Sequence, residues 1–161
     1  MQQASYSVAE KADILHQLSS LYMSSNIPID YGTGEKYTPV EVHMLEFIIT
    51  NPGKTVTDLS QDWDKTKAAI SQQMKKLEEK GLVHRTGARD SLKKQLYYAT
   101  EKGERLNRLH LAYDTKIFGK TLEYVRRTHS DEEIDNCFRL LIDLSDALRS
   151  KHYHSDAEMT H

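Results

Sequence analysis

The chain has a single cysteine, Cys137, among its 161 residues, so no intramolecular disulfide can form and a reducing compartment suits it. No run of about 18 apolar residues occurs, which excludes a transmembrane helix. The opening stretch MQQASYSVAEKADIL lacks the basic-then-apolar layout of a secretion signal, so a cytoplasmic protein with no membrane partner is expected. Only 3 prolines and 7 glycines interrupt it, as suits a helical protein. There is no Gly-rich phosphate loop, no nucleophile with a positioned base and no pair of carboxylates in a plausible cleft, so an enzyme is not expected. A cationic excess is missing too, for the formal net charge is −2.

That total hides an uneven distribution. Between Asp64 and Lys94 stand nine cations (Lys65, Lys67, Lys75, Lys76, Lys80, Arg85, Arg89, Lys93 and Lys94) against four anions (Asp64, Glu78, Glu79 and Asp90). The stretch therefore carries +5 and the remainder −7. A basic patch in an acidic frame is the electrostatic footprint of nucleic-acid binding.

The same stretch has the layout of a winged helix-turn-helix. TVTDLSQDW reads as a short helix, with Thr55 capping and Asp58 three residues on. Thr66 caps a second helix whose Ile70, Met74 and Leu77 form a buried stripe. Its other face presents Lys67, Ala68, Ser71, Gln72 and Lys75, with Lys76 beside them. Lys65 and Lys67 at the N-terminus oppose the helix macrodipole by roughly 0.3–1 kcal/mol each, which suits a place where a phosphate comes to the exposed N–H groups. Leu82–Thr86 and Gln95–Ala99 read as strands of a hairpin wing, with Arg89 at the tip and Lys93 and Lys94 on the return. The candidate DNA contacts are thus Lys65, Thr66, Lys67, Ala68, Ser71, Gln72, Lys75, Lys76, Arg89, Lys93 and Lys94.

Around this lobe, residues 38–100, lie further helices. Residues 7–24 carry Ile14, Leu18, Leu21 and Tyr22 at helical spacing. The connector SSNIPIDYGTGEK is rich in turn residues, and Thr38-Pro39-Val40-Glu41 starts a helix that stops at Asn51-Pro52-Gly53. Trp63, ending the first helix of the motif, is expected to pack under the turn as core. Thr100 caps a long helix with Leu106, Leu109, Tyr113, Ile117, Leu122 and Val125 on one side. Ser130 and Glu133 start a last helix with a stripe of Ile134, Cys137, Phe138, Leu141, Leu144 and Leu148. Residues 150–161 read as a flexible polar tail. Too little chain remains to bury three long amphipathic helices, so residues 7–24 with 101–149 are expected to form a dimerisation region and the protein a homodimer.

Along almost its whole length, to about Leu148, the chain resembles the MarR family of bacterial transcriptional regulators. The resemblance rests on TPVEVHMLEFI, on the spacing of TVTDLSQDW to TKAAISQQMKKLEEKGLV, and on Ala99 to Gly103, which match the family's Leu-Thr-Glu-Lys-Gly with Ala for Leu. It implies a mainly α fold with a small β-hairpin wing. It also implies a homodimer on a pseudo-palindromic operator of double-stranded DNA, with half-sites about 34–36 Å apart. Family members usually repress, and usually release DNA when a small molecule, oxidant or metal reaches the junction of the dimer helices and the DNA lobes. The family's wing commonly carries Asp-x-Arg where this chain has Ser91-Leu92-Lys93. Lys keeps the charge and loses the planar fork, so the wing contact is expected to be weaker or to pass to Arg89.

For the signal, three readings stand. Tyr31, Tyr37, His43, Met44, Phe47, His110 and Tyr113 suit a pocket for a small aromatic or acyl effector. His43, His110 and Asp114 match in position the ligands of the family's zinc-sensing branch, with Glu35 or Asp30 to complete a site; zinc is the one cofactor suggested. Against a redox role, Cys137 lies on an apolar stripe and is expected to be a buried thiol. A winged helix used only for protein contact is the rival to DNA binding, but it would tolerate acids or bulky apolar residues on the face of Lys67, Ser71, Gln72 and Lys75.

Overall fold

A computed structural model describes residues 6–24, 27–88 and 91–158, without the side chains of residues 23–24, 88, 91–94 and 149–158. The chain divides into two units, Met1–Tyr113 and Asp114–His161.

The first unit begins with α1 (Val8–Ser24), closed at its start by a reciprocal pair: the Ser7 N–H donates to Glu10 at 2.8 Å and the Glu10 N–H to the Ser7 hydroxyl at 3.3 Å. Every described side chain of α1 is exposed, Ile14, Leu18, Leu21 and Tyr22 included. The connector holds a small antiparallel ribbon that its composition did not announce. In it β1 (Ile29–Asp30) pairs with β2 (Lys36–Tyr37). Asp30 makes the turn, its Oδ1 accepting the N–H groups of Gly32, Thr33 and Gly34 at 2.8, 2.8 and 3.1 Å. These bonds hold its carboxyl below the ordinary value.

α2 (Pro39–Thr50) has the expected capping box, with Thr38 and Glu41 exchanging bonds. α3 (Val56–Asp62) repeats the device with Thr55 and Asp58. α4 (Lys67–Glu79) follows, capped by Thr66 and burying Ile70, Met74 and Leu77. Each of those three contributes about 2 kcal/mol of burial before conformational entropy is subtracted. Trp63 is half-buried at the end of α3 and packs against the core, its ring edge-on to Phe47 at 6.1 Å.

The wing strands are longer than the sequence suggested: β3 (Val83–Ala88) and β4 (Ser91–Ala99) pair antiparallel with a bulge at Gly87/Ala88. Leu82 precedes β3 and is fully buried. Lys54 adds a rung to β4, since the Tyr97 N–H donates to its carbonyl and the Gly53 N–H to that of Tyr97, both at 3.0 Å. This fastens the wing to the start of the helix-turn-helix. One core, including Tyr37, Val42, Leu45, Ile48, Leu59, Met74, Leu82 and Leu106, joins α2, α3, α4, the wing and the start of α5 (Glu101–Val125).

The second unit holds the end of α5 and α6 (Asp131–Glu158), with Ser130 and Glu133 forming the expected box. Phe118 and Phe138 meet edge to face at 6.0 Å and Ile134 is buried. Cys137 is exposed, contrary to the buried thiol expected, as are Phe138, Leu144 and Leu148 of the same stripe. The backbone of α6 stays helical to Glu158, past the end expected near residue 149, because no Pro or Gly interrupts SKHYHSDAE. No helix among the described residues is long and apolar enough to cross a membrane.

Candidate nucleic-acid interface

The turn between α3 and α4 is made by backbone bonds. Asp64 takes φ 48°, the left-handed conformation that ends a helix. The Lys65 N–H then reaches the Ser60 carbonyl at 3.0 Å and the Asp64 N–H that of Gln61 at 3.3 Å. α4 ends the same way at Gly81 (φ 68°), with Leu82 N–H on Leu77 O and Gly81 N–H on Glu78 O. Both ends of the second helix are therefore set locally, and the helix leaves the turn with one face in the core and the other in solvent.

That outer face holds every candidate the sequence assigned to it. Lys65, Thr66, Lys67, Ala68, Ser71, Gln72, Lys75 and Lys76 are all exposed. No acid stands in the first turn of α4. Lys75 lies 3.8 Å from Glu79 with both side chains mostly in solvent, a contact worth at most about 1 kcal/mol that yields readily to a stronger anion. Of the wing candidates, Arg89 lies outside the described residues, and Lys93 and Lys94 stand on β4 with side chains outside them. Arg85, not singled out as a contact from sequence, projects from β3 beside Glu78, its Nε 3.3 Å from Oε1. Strand alternation in a two-stranded wing was the available signal.

Behind the interface a set of ion pairs fixes the end of α4. The Lys80 Nζ is 2.7 Å from Glu41 Oε1 and 4.9 Å from the centre of the Tyr37 ring. Burial works against the charged Glu41, but Lys80 and the Thr38 N–H outweigh it and hold its carboxyl below the ordinary value. The Tyr37 hydroxyl donates to Glu35 at 2.8 Å; burial and that acceptor push the phenol up to about 12. Lys102 clasps Glu35 at 3.0 Å and donates to the Lys80 carbonyl at 3.0 Å.

The candidate effector and metal residues separate into groups. Tyr31 lies edge-on to His110 and to Tyr113, both at 5.3 Å, and His43 edge-on to His110 at 4.9 Å. Tyr37 instead lies under Lys80, Phe47 against Trp63, and Met44 is buried in the core. His43, Glu46 and His110 bring ligand atoms within 4.8 Å of one another. Asp114 is not part of this cluster; Glu46 takes the third place, three residues after His43 and hence on the same face of α2. Glu35 and Asp30, expected to complete a site, are committed to Lys102 and Tyr37 and to the ribbon turn.

Comparison with known proteins places this geometry. Residues 36–91 match the model of the MarR family. The uncharacterized HTH-type transcriptional regulator YhjH of Bacillus subtilis (strain 168) is 29% identical over 142 residues, covering 83% of this chain and 81% of that protein. The structure of Streptococcus pneumoniae FabT in complex with DNA superposes with a TM-score of 0.65 at 20% identity, covering 87% of this chain and 98% of that one. ZitR of Lactococcus lactis, a zinc-responsive MarR family member, superposes at 0.60 with 19% identity, covering 88% and 99%. At such identities the two structural likenesses speak for the fold.

Proposed function

We propose that the chain is a winged helix-turn-helix transcriptional regulator of the MarR family, acting as a homodimeric repressor on a pseudo-palindromic DNA operator and released by a small ligand. The observation that carries the reading is the outer face of α4. Its small and basic side chains are all exposed, and its N-terminus is flanked by Lys65 and Lys67. Small residues let the helix approach base edges, and the lysines neutralise phosphates. FabT, of the same fold, was solved with DNA.

Homodimerisation is supported by apolar surface that one chain leaves uncovered. In α1, Leu18, Leu21 and Tyr22 are 54%, 69% and 66% exposed. In the second unit Leu140, Ile142 and Leu148 are similarly open. Helices with such faces are stable when a second copy covers them. For the ligand, Tyr31, His110 and Tyr113 offer aromatic edges and a buried imidazole where α2 meets α5.

A second reading has its own observation. His43, Glu46 and His110 have the donor types and closeness of a zinc site, and His43 already lies 3.6 Å from Glu46. These residues would hold the ion, which would supply positive charge and draw α2 and α5 together. Enrichment of duplexes from a random pool, followed by anisotropy titration of the winner with zinc and with EDTA, separates the readings. Metal-dependent affinity that His43→Ala removes favours the zinc signal. Metal-indifferent binding leaves an organic effector. No enrichment of any duplex contradicts the DNA reading and favours a protein-contact winged helix.

A further inference from the structure

The wing meets α4 through a contact that DNA attraction alone would not select. Glu78 is a carboxylate on the side of α4 that carries Lys75, three residues earlier. Facing DNA it repels phosphate, so a neutral residue would serve affinity better if charge were its only role. Yet Glu78 is only 25% exposed at its side chain and sits 3.3 Å from the Nε of Arg85, which is 57% exposed. The buried Tyr97 lines the same groove, and burial with the nearby Glu78 charge pushes its phenol above the ordinary value. Glu78 and Arg85 line a groove of about 640 Å³, with Ser71 and Lys75 of α4, Thr57 of α3 and Gln95 of β4 around it.

Resting on the DNA-binding reading, we propose that Glu78 is a positioning residue. It holds the Arg85 guanidinium at the base of the wing so that Arg85, across the groove from Lys75, grips a phosphate of the DNA backbone. A guanidinium has five N–H donors in a planar fork. Glu78 holds it from the protein side, and the fork keeps donors for phosphate oxygens, the pairing at which Arg excels. The wing thus contacts the backbone at its root as well as at its tip. The pair also locks the wing to the recognition helix, so that both reach the duplex in fixed relation.

The test is an anisotropy salt series on one duplex enriched by the protein, with the wild type, Glu78→Gln, Arg85→Gln, the double variant and Lys75→Glu. If Glu78 matters only as a charge, Glu78→Gln binds more tightly than the wild type. Positioning gives the opposite sign: binding weaker by about tenfold, the worth of one charge-assisted hydrogen bond. The slope of log affinity against log salt becomes shallower by about 1 per protomer in both single variants. The double variant binds no more weakly than Arg85→Gln alone, because the two side chains act through one contact. Tighter or unchanged binding by Glu78→Gln, while Lys75→Glu fails to bind, overturns the role of Glu78 and leaves the DNA reading standing. Wild type that binds no duplex, or Lys75→Glu that binds as well as wild type, overturns both. Should Glu78→Gln melt early, Arg85→Gln decides alone, and an unchanged salt slope refutes the phosphate contact.

Discussion

Gly103 opens α5 where the helix crosses the start of the wing. A Cβ built there falls well inside the van der Waals radius of the Leu82 carbonyl oxygen and 3.0 Å from Leu45 Cδ1. That oxygen is engaged: it accepts the Thr100 N–H at 3.0 Å and the Thr100 hydroxyl at 3.2 Å. Gly103→Ala must therefore push α5 off β3 or break these bonds. Overpacking of this kind costs about 1–3 kcal/mol, and the two weakened bonds add about 1 kcal/mol each. The better helix propensity of Ala returns about 1 kcal/mol. A net loss of about 2–4 kcal/mol results, and at roughly 2–4 °C per kcal/mol for a chain of this size the melting midpoint falls by about 5–15 °C. Thermal melts followed by the helical circular-dichroism signal read it directly. A variant melting at or above the wild type, as propensity alone predicts, would refute the close approach of α5 to the wing.

Further outcomes follow from the ion pairs, the turn and the histidine cluster. Glu41 has its folded pKa below the ordinary 4.5, so its stabilisation is present above about pH 4.5 and is lost as pH falls through the folded value. Glu41→Gln is less stable at neutral pH with a flatter acid limb in urea unfolding across a pH series, and an acid limb like the wild type's would sink the assignment. Asp64 is exposed yet holds φ 48°, so Asp64→Val, β-branched where the left-handed region is crowded, loses about 1–2 kcal/mol in denaturant melts. A neutral result would show that the turn does not hold that conformation. Glu46→Gln weakens zinc binding in calorimetry far more than Asp114→Asn does if the histidine cluster binds metal; equal effects would return Asp114 to the site.

The helix-turn-helix was legible because its signals are local. Thr38 with Glu41, Thr55 with Asp58 and Ser130 with Glu133 each announce a helix start within four residues, and all three boxes form. Ile70, Met74 and Leu77 show their burial by spacing alone. What escaped depends on partners distant in sequence or on elements too short for a period. The β1–β2 ribbon has two residues per strand and rests on one Asp side chain. The clasp of Lys80 on Glu41 joins residues 39 positions apart, and Lys102 on Glu35 joins residues 67 apart. That Glu46 lies close to His43 and His110 depends on how α2 and α5 approach, which no single helix reveals. Cys137 sits on an apolar stripe as spacing implied, but burial also needs a covering layer, and among the described residues Cys137 is exposed.

The central claim is that the α4 face binds DNA through its cations, and its most direct test is the affinity of wild type and Lys75→Glu for an enriched duplex across a salt series. The account predicts wild-type affinity that falls steeply as salt rises, with a slope near −0.9 per phosphate neutralised. Lys75→Glu should lose binding while keeping the wild-type melting midpoint, since its side chain is exposed. A flat salt response, or a Lys75→Glu variant that binds as tightly as the wild type, would contradict it.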